Sequence, residues 1–135
     1  MARRDVLVLC YHGVAPDPLH GEVTPEALHA QLSFVAGRGY RWATFTDAVG
    51  VERGERVAAV TFDDGIASAV EHGLPILESL GAPGTMFLTV TMLGWGGRID
   101  DAGAKRLAAR GWEIGSHTMT HPVLTNVDDA TLHQE

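Results

Sequence analysis

The sequence predicts an α/β domain: a parallel sheet of about five strands with helices outside, forming a partial, distorted (β/α) barrel. Three observations predict it. Short apolar runs recur along the chain, most are followed by a segment with helical caps and an amphipathic period, and polar clusters stand directly after three of the runs. Strands that alternate with helices in this way are joined by right-handed crossovers and therefore run parallel. With 135 residues the chain reads as one domain over 1–135. It is shorter than the roughly 200 residues of a complete eight-stranded barrel.

The elements follow in order. Val6 to Tyr11 is a near-continuous apolar run, as expected of a strand buried on both faces. It ends at His12-Gly13, before a loop containing Pro16 and Pro18. Thr24 caps a helix with Pro25 at its first position, and Leu28, Leu32, Val35 and Ala36 form its apolar stripe up to Gly37 and Gly39. Tyr40 to Phe45 reads as a second strand, and Thr46 opens a short helix that stops between Gly50 and Gly54. The third strand, Val57 to Phe62, runs straight into Asp63-Asp64-Gly65. A helical stretch then breaks at Gly73 and restarts at Pro75 until Gly81. Thr85 to Val90 is the fourth strand, followed by a loop with Gly94, Gly96 and Gly97. Asp100 to Arg110 is an amphipathic helix, and Trp112 to Gly115 a fifth, short strand that leads into Ser116-His117. Val127 to Glu135 begins a helix with acidic residues in its first turn but lacks a closing cap and a following strand. The sequence therefore reads as the N-terminal part of a longer domain.

Composition excludes several roles. Ten Lys and Arg face 17 Asp and Glu, a net charge of −7. Such a field repels phosphate backbones, and Arg3-Arg4 is the longest basic run, so nucleic acid is not an expected partner. No stretch approaches the roughly 18 apolar residues of a membrane span, and the five from Val6 to Cys10 are too few for a signal-peptide core. With one cysteine, Cys10, no intrachain disulfide can form. These features lead to the expectation of a cytoplasmic protein.

Chemistry concentrates in three places, each just after a predicted strand: His12, Asp63-Asp64, and His117 with His121. Loops at the carboxyl ends of parallel strands form the ligand site in α/β folds, so these clusters converge if the strands are neighbours. Asp-Asp-Gly alone also suits a turn, and two histidines alone also suit a surface or core role. Their four-residue spacing can turn both imidazoles to one side, although Pro122 favours an irregular loop over a regular helix at His121. Together with a carboxylate they make a common donor set for a catalytic divalent metal. One Asp can then ligate the ion while its neighbour takes a proton from the bound water. The implied class is metal-assisted hydrolysis of an amide or ester.

Thr61-Phe62-Asp63-Asp64-Gly65 and Ser116-His117-Thr118-Met119-Thr120-His121-Pro122 resemble, in wording, order and context, the first two motifs of polysaccharide deacetylases, carbohydrate esterase family four. Leu74 to Leu77 and Gly81 to Leu88 also read like the family. The resemblance implies removal of acetyl groups from N-acetylated amino sugars. Carried over by position, it implies Asp63 as general base and Asp64, His117 and His121 as ligands of one divalent ion: zinc first, with cobalt, nickel, manganese or iron also compatible. Leu9-Cys10-Tyr11-His12-Gly13-Val14 looks like the branch containing poly-N-acetylglucosamine deacetylases, in which a histidine on the first strand is the catalytic acid. His12 then either protonates the leaving amine or is a histidine hydrogen-bonded at a strand end. The family's later motifs, an Arg that orients the base and an aromatic loop that helps hold the oxyanion, should lie beyond Glu135.

Other residues carry weaker expectations. Trp95 stands on the functional side and either stacks on a sugar ring or packs its own loop. Trp42 and Trp112 read as core, and Cys10 as a small buried hydrophobe on the same strand face as His12. His20, His29, His72 and His133 read as surface residues, and Asp100-Asp101 as a helix N-terminus. The function expected is metal-dependent deacetylation of N-acetylglucosamine-containing oligo- or polysaccharides through a metal-bound water activated by Asp63. Two alternatives stand beside it: a non-catalytic metal- or sugar-binding remnant of such a domain, and a hydrolase for another amide. The incomplete barrel also implies an uncovered side through which copies can self-associate.

Overall fold

The computed structural model describes residues 5–52 and 54–135. The Arg3-Arg4 pair lies outside the described residues. Among the described residues seven strands and five α-helices follow in order: β1 (Asp5–Tyr11), β2 (Gly13–Val14), β3 (Glu22–Val23), α1 (Pro25–Ala36), β4 (Arg41–Ala43), α2 (Phe45–Gly50), β5 (Arg56–Phe62), α3 (Leu74–Ser79), β6 (Gly84–Leu88), α4 (Asp101–Ala109), β7 (Glu113–Ser116) and α5 (Asp129–Leu132). A π-helical turn, Ala69–Gly73, leads into α3, because Pro75 cannot donate to the turn before it. The helix expected from Thr46 begins one residue earlier, since it is Thr44 whose hydroxyl accepts from the Asp47 N–H.

The main sheet has five parallel strands. Strand β5 is its hub. Along one edge it pairs with β1 from Asp5↔Arg56 to Tyr11↔Phe62. Its other edge is shared: β4 pairs with Val57 to Ala59, and β6 takes over from Val60 to Phe62. Strand β7 lies beyond β6. Among the described residues the sheet stays open and does not close into a barrel. The short parallel pair β2–β3, which the sequence reading placed in a loop, stands apart from it.

Side chains alternate across a strand, so the register sorts them into two faces. Tyr11, Val60, Phe62, Met86 and Leu88 meet Leu28 and Leu32 of α1, Leu77 of α3 and Leu107 of α4 in the larger core. Phe62 is fully buried at its centre, stacked on Trp112 with ring centroids 5.5 Å apart and tilted against Tyr11 at 5.8 Å. Trp112 is core, as expected, and Trp42 packs half-buried against it. On the opposite face Val57, Ala59 and Ala43 meet Ala48 and Val51, the helix and exit of α2, in a smaller apolar cluster. Helix α2 thus covers the amino-terminal half of this inner face and leaves the carboxyl half open.

A polar tie fixes α2 there. Glu113, on β7, accepts hydrogen bonds from the Thr46 N–H at 3.1 Å, the Thr46 hydroxyl, and the Thr85 hydroxyl at 3.0 Å. The Thr85 hydroxyl accepts in turn from the Phe45 N–H at 2.9 Å. Phe45 then meets Phe87 edge-on at 5.6 Å.

Two outcomes follow from this packing. A Cβ on Gly84 would stand 2.7 Å from the Trp112 ring, which is locked between core side chains. Gly84→Ala should therefore cost about 1–3 kcal/mol of stability by overpacking, read from the urea midpoint; an unchanged midpoint would show that the ring has room to move. Partial burial raises the Glu113 carboxyl, but the hydrogen bonds from Thr46, Thr85 and Phe45 outweigh it and hold the group below its ordinary range. A depressed folded value means that the contribution is complete above the unfolded value of about 4.3 and is lost as pH falls through the folded one. The stability gap between the native chain and Glu113→Gln should shrink between pH 5 and the lowest pH at which both still fold.

Candidate active site

The site is assembled from the ends of β5 and β7. Asp63 prolongs β5 by one residue, its N–H donating to the Tyr11 carbonyl at 2.9 Å. By the period of two its side chain follows Thr61 onto the inner face, where the Cys10 thiol donates to its Oδ2 at 3.4 Å. Asp64 then turns into the left-handed region with φ 66°, and Gly65 continues there with φ 68°. Glycine is required at 65 on two counts, since a Cβ would also stand 2.7 Å from the Leu88 side chain. The reversal separates the two carboxylates and directs them differently.

On the neighbouring side His117 extends β7, donating its N–H to the Leu88 carbonyl at 2.8 Å. The loop beyond it is irregular, as Pro122 leads one to expect. Thr118 and His121 both adopt left-handed backbone, with φ 66° and 62°, and the Thr118 hydroxyl accepts from the His121 N–H at 2.9 Å. The Val90 and Thr91 N–H groups bind the Thr118 and Met119 carbonyls at 3.2 and 3.0 Å, which fastens the loop to the end of β6. Among the described residues the non-glycine positions with positive φ are Asp64, Thr118 and His121. Strain of this kind collects where the surroundings fix a functional geometry.

The two segments meet. His121 Nε2 is 3.3 Å and His117 Nε2 3.6 Å from Asp64 Oδ1, and the two imidazole rings are 4.8 Å apart. His117 Nε2 is also 3.9 Å from Asp63 Oδ2. Asp64 Oδ1 is buried, yet no hydrogen bond reaches it. Leaving such an acceptor unsatisfied ordinarily costs about 1–3 kcal/mol. One donor atom from each of Asp64, His117 and His121 lies within 4.8 Å of the others. A carboxylate oxygen and two imidazole nitrogens form a donor set suited to a divalent transition metal, with positions left for water or substrate. The orphaned oxygen and the facing nitrogens fit such an ion.

The other residues singled out by sequence fall around this centre. His12 is the first residue past β1 and is exposed. It lines an open groove of about 450 Å³ together with Gly13, Leu19, His20, Glu22 and Asp64. His20, read as an isolated surface residue, belongs to this groove. Trp95 is 77% exposed in the loop after β6 and does not line the groove. Asp100 caps α4 as expected, accepting from the Gly103 N–H at 2.7 Å.

Cys10 corrects the reading as a buried hydrophobe: it is exposed, because α2 stops short of it on the inner face. Partial desolvation and the Asp63 charge push its thiol above the ordinary range, against the pull of the Thr61 hydroxyl. It therefore stays protonated and serves as a donor to Asp63. Glu22 went unnoticed in the sequence, because nothing local marks a loop glutamate whose role depends on a glycine nine residues earlier.

Fold and cluster together define an α/β protein with a carboxylate–imidazole centre at the carboxyl ends of its parallel strands. Residues 50–135 match the family profile described as polysaccharide deacetylase, and the chain belongs to that family. It is 38% identical over 75 residues to a chitin deacetylase of Pestalotiopsis sp, covering 55% of this chain and 24% of that protein. A chitooligosaccharide deacetylase of Bradyrhizobium sp. (strain ANU 289) is 32% identical over 83 residues, covering 61% of this chain and 36% of its own length. Among solved structures, IcaB from Ammonifex degensii superposes with a TM-score of 0.78 at 26% identity, over 96% of this chain and 58% of that one. The Streptococcus pyogenes deacetylase PplD, in complex with acetate, shares the fold at a TM-score of 0.80, over 93% of this chain and 62% of its own. The chain thus spans about a quarter to a third of the curated relatives, by those figures, and more than half of the solved ones.

The Thr118 hydroxyl supplies the next test. Thr118→Val keeps the side-chain shape but removes the acceptor for the His121 N–H, at a cost of about 1 kcal/mol. Faster amide exchange at His121, with β7 unchanged, is the expected signature.

Proposed function

We propose that this chain is a metal-dependent N-deacetylase domain acting on saccharides that contain N-acetylglucosamine. The observation that carries the reading is the Asp64 carboxylate oxygen, buried without a hydrogen bond and faced by the Nε2 atoms of His117 and His121. Family membership and the two curated deacetylase relatives support the reaction class. In this reading Asp64, His117 and His121 hold the ion, with zinc the first choice for such donors. When bound, the ion supplies positive charge that acidifies water and polarises a carbonyl.

The chain's own residues then divide the work. Asp63 stands beside the three donors but outside them, held by its backbone hydrogen bond to Tyr11 and by the Cys10 thiol. It is the group placed to take a proton from water attacking the acetamide carbon. His117, 3.9 Å from Asp63, sits between the base and the other donors, so its orientation couples the two roles. His12 lines the same groove as Asp64, and in this reading it gives a proton to the departing sugar amine. The products are acetate and a glucosamine unit.

The other reading is a non-catalytic metal- or sugar-binding remnant of such a domain. Acetate release from N-acetylated chito-oligosaccharides decides between the two readings.

Metal and base can be separated by paired variants. Zinc at a hundred times its dissociation constant should stabilise the native chain by about 2.7 kcal/mol, seen as a raised unfolding temperature. That shift should vanish in Asp64→Ala and persist in Asp63→Asn, while acetate release is lost in both. Full turnover by Asp63→Asn would remove the proposed base.

A further inference from the structure

We propose that the groove between His12 and Asp64 binds a glucosamine unit, already free of its acetyl group, next to the sugar being deacetylated, and that Glu22 pairs with its ammonium. The proposal rests on the deacetylase reading for which sugar reacts, but the groove has its own evidence. Its volume of about 450 Å³ lies within the range of roughly 300–1,000 Å³ usual for small-molecule sites. Asp64 forms part of its wall, so a ring seated there adjoins the centre.

The Glu22 carboxylate is built into this wall. Glu22 is paired with Gly13 across the β2–β3 ladder. A Cβ on Gly13 would fall 2.3 Å from Glu22 Oε1. Gly13 is not among the residues with positive φ, so a larger residue there would meet no backbone strain but would displace the Glu22 carboxylate. The Leu19 N–H at 2.8 Å and the Ser68 hydroxyl at 3.4 Å orient the two oxygens. No Lys, Arg or His forms an ion pair with Glu22 among the described residues; the basic side chains that line the groove are His12 and His20, with no Lys or Arg. A carboxylate that is oriented, stands in no ion pair and faces an open cavity attracts a cation. The cation that this reaction itself makes is the ammonium of a deacetylated sugar. The chain's net charge of −7 favours the same partner. Leu19, 76% exposed on the rim, offers an apolar surface to the ring.

The test is direct binding of two tetramers, one of glucosamine and one of N-acetylglucosamine. It is measured by calorimetry at low salt with zinc present, in the Asp63→Asn background so that the acetylated tetramer stays intact. The glucosamine tetramer should bind about fivefold more tightly, the equivalent of an ion pair of about 1 kcal/mol. Glu22→Gln, which preserves shape, should bring the two to parity. Gly13→Ala, which displaces the carboxylate, should do the same, with folding checked by the unfolding temperature of each variant. Equal binding before any change at Glu22, or a preference that survives Glu22→Gln, would overturn the proposal. Acetate release by the native chain is scored separately. A preference without acetate release leaves the groove assignment standing and sinks the deacetylase reading; acetate release without a preference sinks the groove alone.

Discussion

Everything in this structure depends on the burial of β5 on both faces. From Val57 to Phe62 no residue of the strand is more than 3% exposed, so its position is set by packing from above and below. Burying a side chain the size of Val or Phe stabilises a fold by about 1.5–3 kcal/mol, and β5 concentrates several of them in one segment. The strand emerges from this packing directly at Asp63 and Asp64. Two carboxylates placed side by side repel one another, and a flexible loop would let them move apart. Attached to a strand buried on both faces, with Gly65 against Leu88, they have little freedom to do so.

The second half of the centre is held by different means. His117 belongs to the β7 ladder, but His121 lies beyond it and depends on local hydrogen bonds: its N–H to Thr118, and the Val90 and Thr91 N–H groups to the carbonyls of the same loop. Left-handed backbone at a β-branched residue such as Thr118 is unfavourable, and these contacts hold it in place. The unsatisfied Asp64 oxygen adds a further penalty. These costs fall on three residues around a single point, while the apolar core on the other side of the sheet is well filled. That distribution is expected where stability elsewhere maintains a geometry needed for chemistry.

Much of this was legible in the sequence, for identifiable reasons. Continuous apolar runs marked β1 and β5, but only β5 is buried on both faces, since Val8 and Cys10 of β1 are exposed. Thr24 and Asp100 announced helix starts through side-chain caps, whereas the cap of α2 is Thr44 and not the expected Thr46. The convergence of Asp63, Asp64, His117 and His121 followed from their positions just past parallel strands. What could not be read depends on contacts across the sheet. Cys10 has the hydrophobicity of a core residue, and only the reach of α2 decides that it is exposed. The pairing of Gly13 with Glu22 arises from a two-residue ladder too short to leave any periodicity. Glu113 is an unremarkable strand glutamate until Thr46 and Thr85 are brought against it.

The inner face shows how one sheet serves two purposes. Its lower half is lined by Val57, Ala59 and Ala43, small enough for α2 to lie directly on the strands. Its upper half changes to Cys10, Thr61 and Asp63, residues that need water or polar partners. The Glu113 tie marks the boundary, anchoring the start of α2 to β6 and β7. A bulkier residue at Ala59 would lift the helix, and a longer helix would cover Asp63. The Asp63 carboxylate is accessible because small side chains and a short helix seal the sheet beneath it and end there, so the fold's stability and the opening of the site follow from the same packing.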